Sequence, residues 1–170
     1  MTALPPIVAP DLRVLFVGIN PGLKSAEVGH NFARPGNRFW GALHDGGFTP
    51  RRLAPEEDVT LPDYGLGITN IAPRPTRAAA ELSDAELREG AAALEQLVRE
   101  IRPKLVAIVG VTAYRTAFGR RDADFGLQDE TIGGRPVWVL PNPSGLNARY
   151  QLPDLTQMYG EALAFTQHGP

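Results

Sequence analysis

The sequence predicts a single α/β domain of three layers, in which helices cover both faces of a central, mainly parallel four-stranded sheet. Four short runs rich in β-branched and aromatic residues have the near-continuous apolar character of buried parallel strands. Segments with helical spacing of apolar residues alternate with these runs, as in proteins built on a parallel sheet. No repeat or linker divides the chain, so we expect one domain over residues 12–166 after a proline-rich, flexible leader over residues 1–11.

The first half of the chain contains two of the predicted strands, Leu12–Gly18 and Leu66–Ile71. Between them we expect a long loop, then a short helix over Asn37–Gly46 that buries its aromatic residues, then an irregular charged stretch over Thr49–Pro62. After the second strand, Pro73–Thr76 predicts a loop, because proline disfavours helix at its own position and at the residue before it.

The second half alternates helices and strands more regularly. Ser83 and Glu86 have the spacing of a capping box, which predicts a helix that begins there and ends before Pro103. The remaining predicted elements are strands over Leu105–Val109 and Pro136–Leu140 and helices over Thr112–Phe118 and Asp154–Phe165. In a parallel sheet the loops that follow the four strands share one edge, and open α/β sheets bind ligands at that edge.

Composition excludes several kinds of site. The 170 residues include no cysteine, so disulfides, thiolate nucleophiles and cysteine-ligated metal clusters are excluded. The 3 histidines lack metal-ligand spacing, and the formal net charge of −2 creates no global field that attracts nucleic acid. We therefore expect no metal and no cofactor. Because the sequence has no apolar run of membrane-spanning length and no signal peptide, we expect no membrane partner and a cytoplasmic monomer.

Basic residues are nevertheless concentrated in the loops after the predicted strands. They are Lys24, His30, Arg34, Arg38, Arg74, Arg77 and Arg149. Acidic residues lie mainly elsewhere, in Glu56–Asp58 and in the stretch from Glu81 to Glu100. This asymmetry fits a cationic face that contacts phosphates, and it fits equally well with ordinary solvated or paired surface charges.

An Asn-Pro turn follows the first predicted strand and another follows the last. Asn20-Pro21-Gly22 and Asn142-Pro143-Ser144 each end a strand abruptly, because proline cannot extend a central ladder. Each turn leaves an amide side chain at the carboxyl edge of the sheet. We therefore expect the two turns to form opposite sides of one site.

The predicted site lacks the usual catalytic groups. The sequence contains no nucleophile elbow, no Walker loop and no dinucleotide fingerprint. Asn20 is too weak a base to remove a proton, but its side-chain oxygen can hold a water molecule. A reaction that depends on such a residue needs a good leaving group, so that positioning and electrostatics supply most of the rate enhancement.

Several ordered motifs resemble the mismatch-specific uracil/thymine DNA glycosylases of the uracil-DNA glycosylase superfamily. They are Gly18–Leu23, Gly29–Phe32, Pro35–Trp40, Ile68–Asn70, Arg74–Thr76 and Asn142–Leu146. The resemblance, from about Leu12 to Leu155, implies an enzyme that hydrolyses the N-glycosidic bond of a uracil flipped out of double-stranded DNA, without metal or cofactor, and leaves an abasic site. Since flipping costs less for a mispaired base, the implied partner is DNA with G·U or G·T mispairs.

The resemblance also implies roles around the flipped base. Asn20 would orient the attacking water, and Phe32 would stack on the base. Backbone groups around Gly18 and Ile19 would read the edge of the base. Asp84 follows the loop after the second strand and is the candidate for an auxiliary carboxylate; its alternative is an ordinary acid in the first turn of a helix.

A second set of implied roles concerns the duplex. Leu146 would fill the space left in the base stack, while Gly145 and Asn147 would offer backbone groups to the widowed guanine. Contacts to phosphates or deoxyribose would come from Ser25, Asn142 and Ser144. Lys24 occupies a position that is often small or polar in relatives and could add a phosphate contact, and Arg149 would contact the widowed strand. The arginine of this motif, Arg149, is displaced by one residue relative to many members of the family.

Two other functions remain open at the level of sequence. The same pocket and wedge could belong to a non-catalytic module that binds mispairs or abasic sites. A small-molecule nucleoside hydrolase is the third class, and its substrate would need no wedge at Leu146.

Overall fold

The computed structural model describes residues 3–168 and has the three-layer α/β architecture that the sequence predicts. The strands are β1 (Val14–Gly18), β2 (Leu66–Asn70), β3 (Leu105–Val109), β4 (Gly126–Leu127) and β5 (Val137–Leu140). The helices are α1 (Leu23–Val28), α2 (Phe39–Asp45), α3 (Asp84–Ile101), α4 (Val111–Phe118) and α5 (Leu152–His168), and 3-10 helices span Pro55–Tyr64 and Ala79–Glu81. The strand order is β2-β1-β3-β5-β4.

The four expected strands are present and mutually parallel. β1 pairs with β2 on one side and with β3 on the other, and β3 pairs with β5. The predicted total of four strands is wrong by one, because β4 adds an antiparallel edge to β5. A strand of only 2 residues carries no alternation of apolar and polar side chains, so the sequence pattern does not reveal it.

Both faces of β1 are buried. Val14 and Phe16 pack into the core beneath α2 and α5, whereas Leu15 and Val17 pack into the core beneath α3 and α4. Burial on both faces explains the unbroken apolar sequence of this strand. The Asn20 turn directly follows this interior strand at the carboxyl edge of the sheet.

The predicted capping box begins α3. The hydroxyl oxygen of Ser83 accepts a hydrogen bond from the Glu86 backbone N–H at 3.1 Å, and the Glu86 carboxylate accepts one from the Ser83 N–H at 3.0 Å. At its other end the helix stops at Ile101, and Arg102 adopts a left-handed φ of 54° before Pro103. The predicted boundaries of this helix are therefore confirmed.

Part of the leader is attached to the sheet, which the sequence did not predict. Ile7 exchanges two backbone hydrogen bonds of 2.9 Å with Ile68 of β2, and the Asp11 N–H donates to the Ile101 carbonyl at 2.8 Å. Ile7 and Asp11 are thus hydrogen-bonded to the domain, while the flexibility of the leader stays a prediction. Met1 and Thr2 lie outside the described residues.

Two further segments are more regular than expected. The predicted long loop after β1 contains the six-residue helix α1, and the stretch predicted to be irregular contains the 3-10 helix Pro55–Tyr64. None of the described helices is long and apolar enough to cross a membrane.

The contact between α3 and the end of β2 gives a test of this packing. A Cβ added at Gly90 would lie 2.0 Å from the Ile71 carbonyl oxygen. Helix propensity alone predicts that Gly90→Ala stabilises the protein by about 1 kcal/mol. We expect the opposite, a loss of about 1–3 kcal/mol, because the helix must move away from the sheet. Urea unfolding measures the sign, and Ala92→Gly on the exposed side of α3 is the propensity control. A stabilised Gly90→Ala variant would contradict this packing.

Candidate active site

A cavity of about 300 Å³ opens at the carboxyl edge of the sheet. Both Asn-Pro turns line it, the first through Ile19 and Asn20 and the second through Asn142, Ser144 and Leu146. The remaining polar lining includes Ser25, Asn31, Asn37, Asn70 and Thr76. The structure therefore brings together the two turns that the sequence placed on opposite sides of one site.

Hydrogen bonds fix the orientation of the Asn20 amide. Its Nδ2 donates to the Arg74 carbonyl oxygen at 2.8 Å and to the Thr76 hydroxyl oxygen at 2.7 Å. The Thr76 hydroxyl donates its own proton to the Ala78 carbonyl at 2.8 Å, so toward Asn20 it acts as an acceptor. Both protons of the Asn20 amide are thus engaged. The Oδ1 atom remains as the group of Asn20 that can accept a hydrogen bond in the cavity.

The loop that holds Asn20 is anchored to the start of α3. The Arg74 side chain forms an ion pair with Glu86 at 2.8 Å. This guanidinium, together with the Ser83 backbone N–H, lowers the pKa of Glu86 to about 2. Because Glu86 stays ionised well below neutral pH, the anchor persists at any pH suited to an activity assay.

The lining of the cavity combines apolar side chains, such as Ile19 and Val109, with polar and cationic ones. Arg34 and Arg77 are the charged residues of the lining, and within residues 3–168 no carboxylate lines it. Among those same residues no cluster of three or more histidine, cysteine or acidic side chains is placed to hold a metal ion. The described cavity therefore offers amides, hydroxyls and positive charge.

An aromatic pair forms part of the cavity. Phe32 lines the cavity and stacks on the buried Phe39 of α2, with ring centroids 4.2 Å apart and an interplanar angle of 21°. Phe32 has a positive φ of 51°, which is uncommon for a bulky residue. Gly18 lies close by, because a Cβ there would be 3.4 Å from the Phe32 ring and 2.6 Å from the Asn70 side-chain oxygen. Only glycine at this position leaves both side chains in place.

A buried carboxylate lies behind the cavity. Asp58 is 1% exposed and accepts hydrogen bonds from the Asn31 backbone N–H at 2.9 Å and from Asn31 Nδ2 at 3.1 Å. The His30 Nδ1 atom lies 3.0 Å from its other oxygen. In the sequence Asp58 belongs to a charged stretch that is typical of an exposed surface. Its contacts with Asn31 and His30 were therefore not predicted.

The second Asn-Pro turn is ordered by its own side chains. Asn142 Oδ1 accepts from the Ser144 N–H at 2.9 Å, and the Ser144 hydroxyl oxygen accepts from the Leu146 N–H at 3.2 Å. Asn147 Nδ2 closes the turn by donating to the Asn142 carbonyl at 3.1 Å. Leu146 stands at the tip with 72% of its surface exposed. An apolar side chain is thus presented to solvent on a preorganised loop.

Arg38 holds the same turn from the helix side. Its guanidinium donates to the carbonyl oxygens of Ser144, Asn147 and Tyr150. The sequence left Arg38 open as a phosphate contact or a surface charge, and in the structure its side chain is half-buried and binds backbone. The loop that precedes α2 approaches closely too, since a Cβ at Gly145 would lie 2.6 Å from the Gly36 carbonyl oxygen.

Some residues predicted for the site lie outside the cavity. Asp84 is exposed at the start of α3 and does not line the cavity, so its place supports the reading as a first-turn acid. Lys24 lies 3.8 Å from Glu27, and the Arg149 guanidinium lies 5.4 Å from the centre of the Tyr150 ring.

Ser25 lies in the lining rather than on the outer rim. It is 5% exposed, and its hydroxyl oxygen accepts from the Ala33 N–H at 3.0 Å. This bond ties α1 to the loop that carries Phe32, so a structural contribution of Ser25 accompanies any contact with a ligand.

Comparisons with known proteins identify the family of the chain and a protein of similar fold. The sequence profile of the Uracil DNA glycosylase superfamily matches residues 5–164. In fold, the chain is similar to a protein from Methanosarcina acetivorans whose solution NMR structure is described as that of a candidate uracil DNA glycosylase; the TM-score is 0.64 and the sequence identity is 19%, over 96% of this chain and 99% of that chain. Because the profile covers nearly the whole described domain, the chain belongs to the uracil DNA glycosylase superfamily.

Proposed function

We propose that the protein is a monofunctional DNA glycosylase that hydrolyses the N-glycosidic bond of uracil in mispaired double-stranded DNA and leaves an abasic site. The observation that carries the proposal is the orientation of the Asn20 amide. Both of its N–H groups donate hydrogen bonds, so Oδ1 remains as an acceptor in the cavity. The described lining of that cavity contains no carboxylate. Membership of the superfamily supports activity on uracil in DNA. The preference for G·U and G·T mispairs is the finer part of the proposal.

The mechanism separates departure of the base from attack by water. The bond between C1′ and N1 breaks with its electron pair on uracil, which leaves as an anion delocalised over its carbonyl groups. Asn20 Oδ1 accepts a hydrogen bond from a water and orients the water oxygen toward the electron-poor C1′. The new C–O bond forms there, and the water gives up its proton to solvent. Positioning and electrostatics supply the acceleration, and Arg34 and Arg77 favour the negative charge.

The cavity suits one flipped base. Phe32, supported from behind by Phe39, offers a ring on which a base stacks, and such stacking contributes roughly 1–3 kcal/mol per base. Asn31 and Asn70 line the same cavity and offer amides to the edge of the base, beside the backbone at Ile19. A pyrimidine held there brings its glycosidic bond to Asn20.

The exposed Leu146 supports the proposal of a duplex substrate. Apolar side chains that enter a base stack help to offset the cost of unstacking. The hydrogen bonds within the second turn and those from Arg38 hold Leu146 in place before DNA binds. A mispaired base costs less to extrude, and the backbone at Gly145 and Asn147 would contact the guanine left behind.

The role of Asn20 is tested by Asn20→Ala. We expect the rate of uracil release from a G·U duplex to fall about 10²–10³-fold, the usual effect of removing a preorganised polar group from a catalytic site. Single-turnover assays, followed by alkaline cleavage of the abasic product and run with excess EDTA, measure the rate. Unchanged turnover would exclude this mechanism.

The role of Thr76 is tested by Thr76→Val, which conserves shape and removes the acceptor for Asn20 Nδ2. The amide is then free to turn, so the single-turnover rate should fall about tenfold, the worth of one such hydrogen bond. Affinity for a duplex with an abasic site should not change, because binding this product involves no attack by water and does not depend on the orientation of the Asn20 amide. An equal loss in rate and affinity would indicate a general structural defect instead.

The wedge is tested by Leu146→Ala, with Leu127→Ala as the matched control, since Leu127 is also exposed, at 51%, but lies on β4. We expect Leu146→Ala to lower activity on a G·U duplex about 10–100-fold, because the offset to unstacking is lost. Activity on uracil in single-stranded DNA should change little. Equal activity of both variants on the duplex would favour the small-molecule nucleoside hydrolase.

The single-turnover assay also distinguishes the proposed glycosylase from a non-catalytic binding module. A module that only binds mispairs or abasic sites releases no base within a single turnover, even with enzyme in excess. Duplexes with uracil, thymine or ethenocytosine opposite each normal base then define the range of substrates.

A further inference from the structure

The proposed mechanism leaves one buried charged residue without a use. Asp58 lies in the 3-10 helix Pro55–Tyr64, is 1% exposed, and does not line the cavity. Burying a carboxylate is costly unless several donors satisfy it. Two of the three donors that satisfy Asp58 belong to Asn31, which is 5% exposed and lines the cavity.

Asp58 determines which way the Asn31 amide faces. A carboxylate oxygen only accepts, so it must face the Asn31 Nδ2 atom and not Oδ1. The Asn31 backbone is held as well, by its N–H to the same carboxylate oxygen and by its carbonyl, which accepts from the Trp40 indole N–H at 3.3 Å. With neither backbone nor amide free to turn, Asn31 Oδ1 is fixed as an acceptor on the side away from Asp58.

The order continues to Asn70. Asn31 Oδ1 accepts from Asn70 Nδ2 at 3.4 Å, a long contact that still orders the second amide. The Asn70 oxygen consequently faces Gly18, where it would meet an added Cβ at 2.6 Å. The two amides line the cavity in a fixed sequence of acceptor, donor and acceptor, which is set from behind by Asp58.

We propose that Asp58 is a positioning residue which, through Asn31 and Asn70, makes the cavity select a base that presents a ring N–H to Asn31 Oδ1. Uracil and thymine carry such a proton on N3, whereas cytosine has a lone pair there, which a fixed acceptor opposes. The proposal rests on the proposed function. Sites built around a fixed hydrogen-bonding group reject a base that leaves that group unpaired far more strongly than sites that read shape alone.

The test uses binding, so that it does not depend on turnover. Duplexes carry 2′-fluoroarabino-uridine or 2′-fluoroarabino-cytidine, whose fluorine prevents cleavage, opposite a tetrahydrofuran abasic residue so that neither base is paired. We expect the wild type to bind the uracil duplex at least tenfold more tightly than the cytosine duplex. Asp58→Leu should reduce that ratio to below threefold, with unchanged affinity for a duplex that has no base at the target position.

Two further variants distinguish orientation from folding. Asp58→Asn should restore the ratio, because its oxygen still accepts from Asn31 while its amide faces the His30 ring nitrogen. His30→Ala should keep the ratio, since the His30 side chain contacts the carboxylate and is not a partner of the Asn31 amide. If Asp58→Leu does not fold, Asn31→Ala is measured in its place. That variant should reduce the ratio of the two affinities to below threefold, while the backbone N–H of residue 31 still donates to Asp58.

The results separate the two proposals. A ratio that stays at the wild-type value in folded Asp58→Leu, or in Asn31→Ala where that variant replaces it, overturns the role of Asp58. Failure of Asp58→Asn to restore the ratio also overturns it. Failure of the wild type to release uracil from a cleavable G·U duplex overturns the proposed function instead, and that assay is run on the same preparation.

Discussion

The fixed orientation of the Asn20 amide is the constraint on which the site depends. Asn20 follows β1, but its two amide protons are held by the loop after β2. That loop is in turn tied to α3, because Arg74 pairs with Glu86 of the capping box. A local signal for the start of a helix is therefore also a support for a side chain in the cavity. Parallel pairing of β1 with β2 brings the two parts together.

The Phe32 side of the cavity and the second Asn-Pro turn are coupled through one short loop. Residues 35–38 connect the Phe32 loop to α2, contact Gly145 through the Gly36 carbonyl, and hold the second Asn-Pro turn through Arg38. Phe32 also stacks on Phe39 at the start of α2. Under the proposed function, a displacement of this loop would move the stacking ring and Leu146 together, so the site holds the flipped base and the opened duplex in one register.

Sequence reveals the strands and the edge they share because those signals are local. The unbroken apolar run of β1, the capping box at Ser83 and the Asn-Pro turns can each be recognised within a few residues. The hydrogen-bond partners of Arg38 and Asp58 cannot be recognised in this way. Ser144 lies 106 residues from Arg38 in the sequence, and Asn31 lies 27 residues from Asp58. The sequence around an aspartate does not show whether its carboxylate is buried or solvated. Only the fold determines which hydrogen-bond donors reach it. The strand β4 was not predicted because it has just 2 residues.

Under the proposed function, the amides of the cavity limit what it can cleave. Asn20 would orient water without providing a strong base, and the described lining holds no carboxylate to activate the water or to stabilise a cation at C1′. The proposed mechanism therefore requires a leaving group that carries its own negative charge well, as uracil does through its carbonyls. It would not cleave bases that leave poorly as anions, even when they fit the cavity. The proposed selectivity at Asn31 would then act only among bases that can leave, so leaving-group chemistry and hydrogen bonding would select on different properties of the substrate.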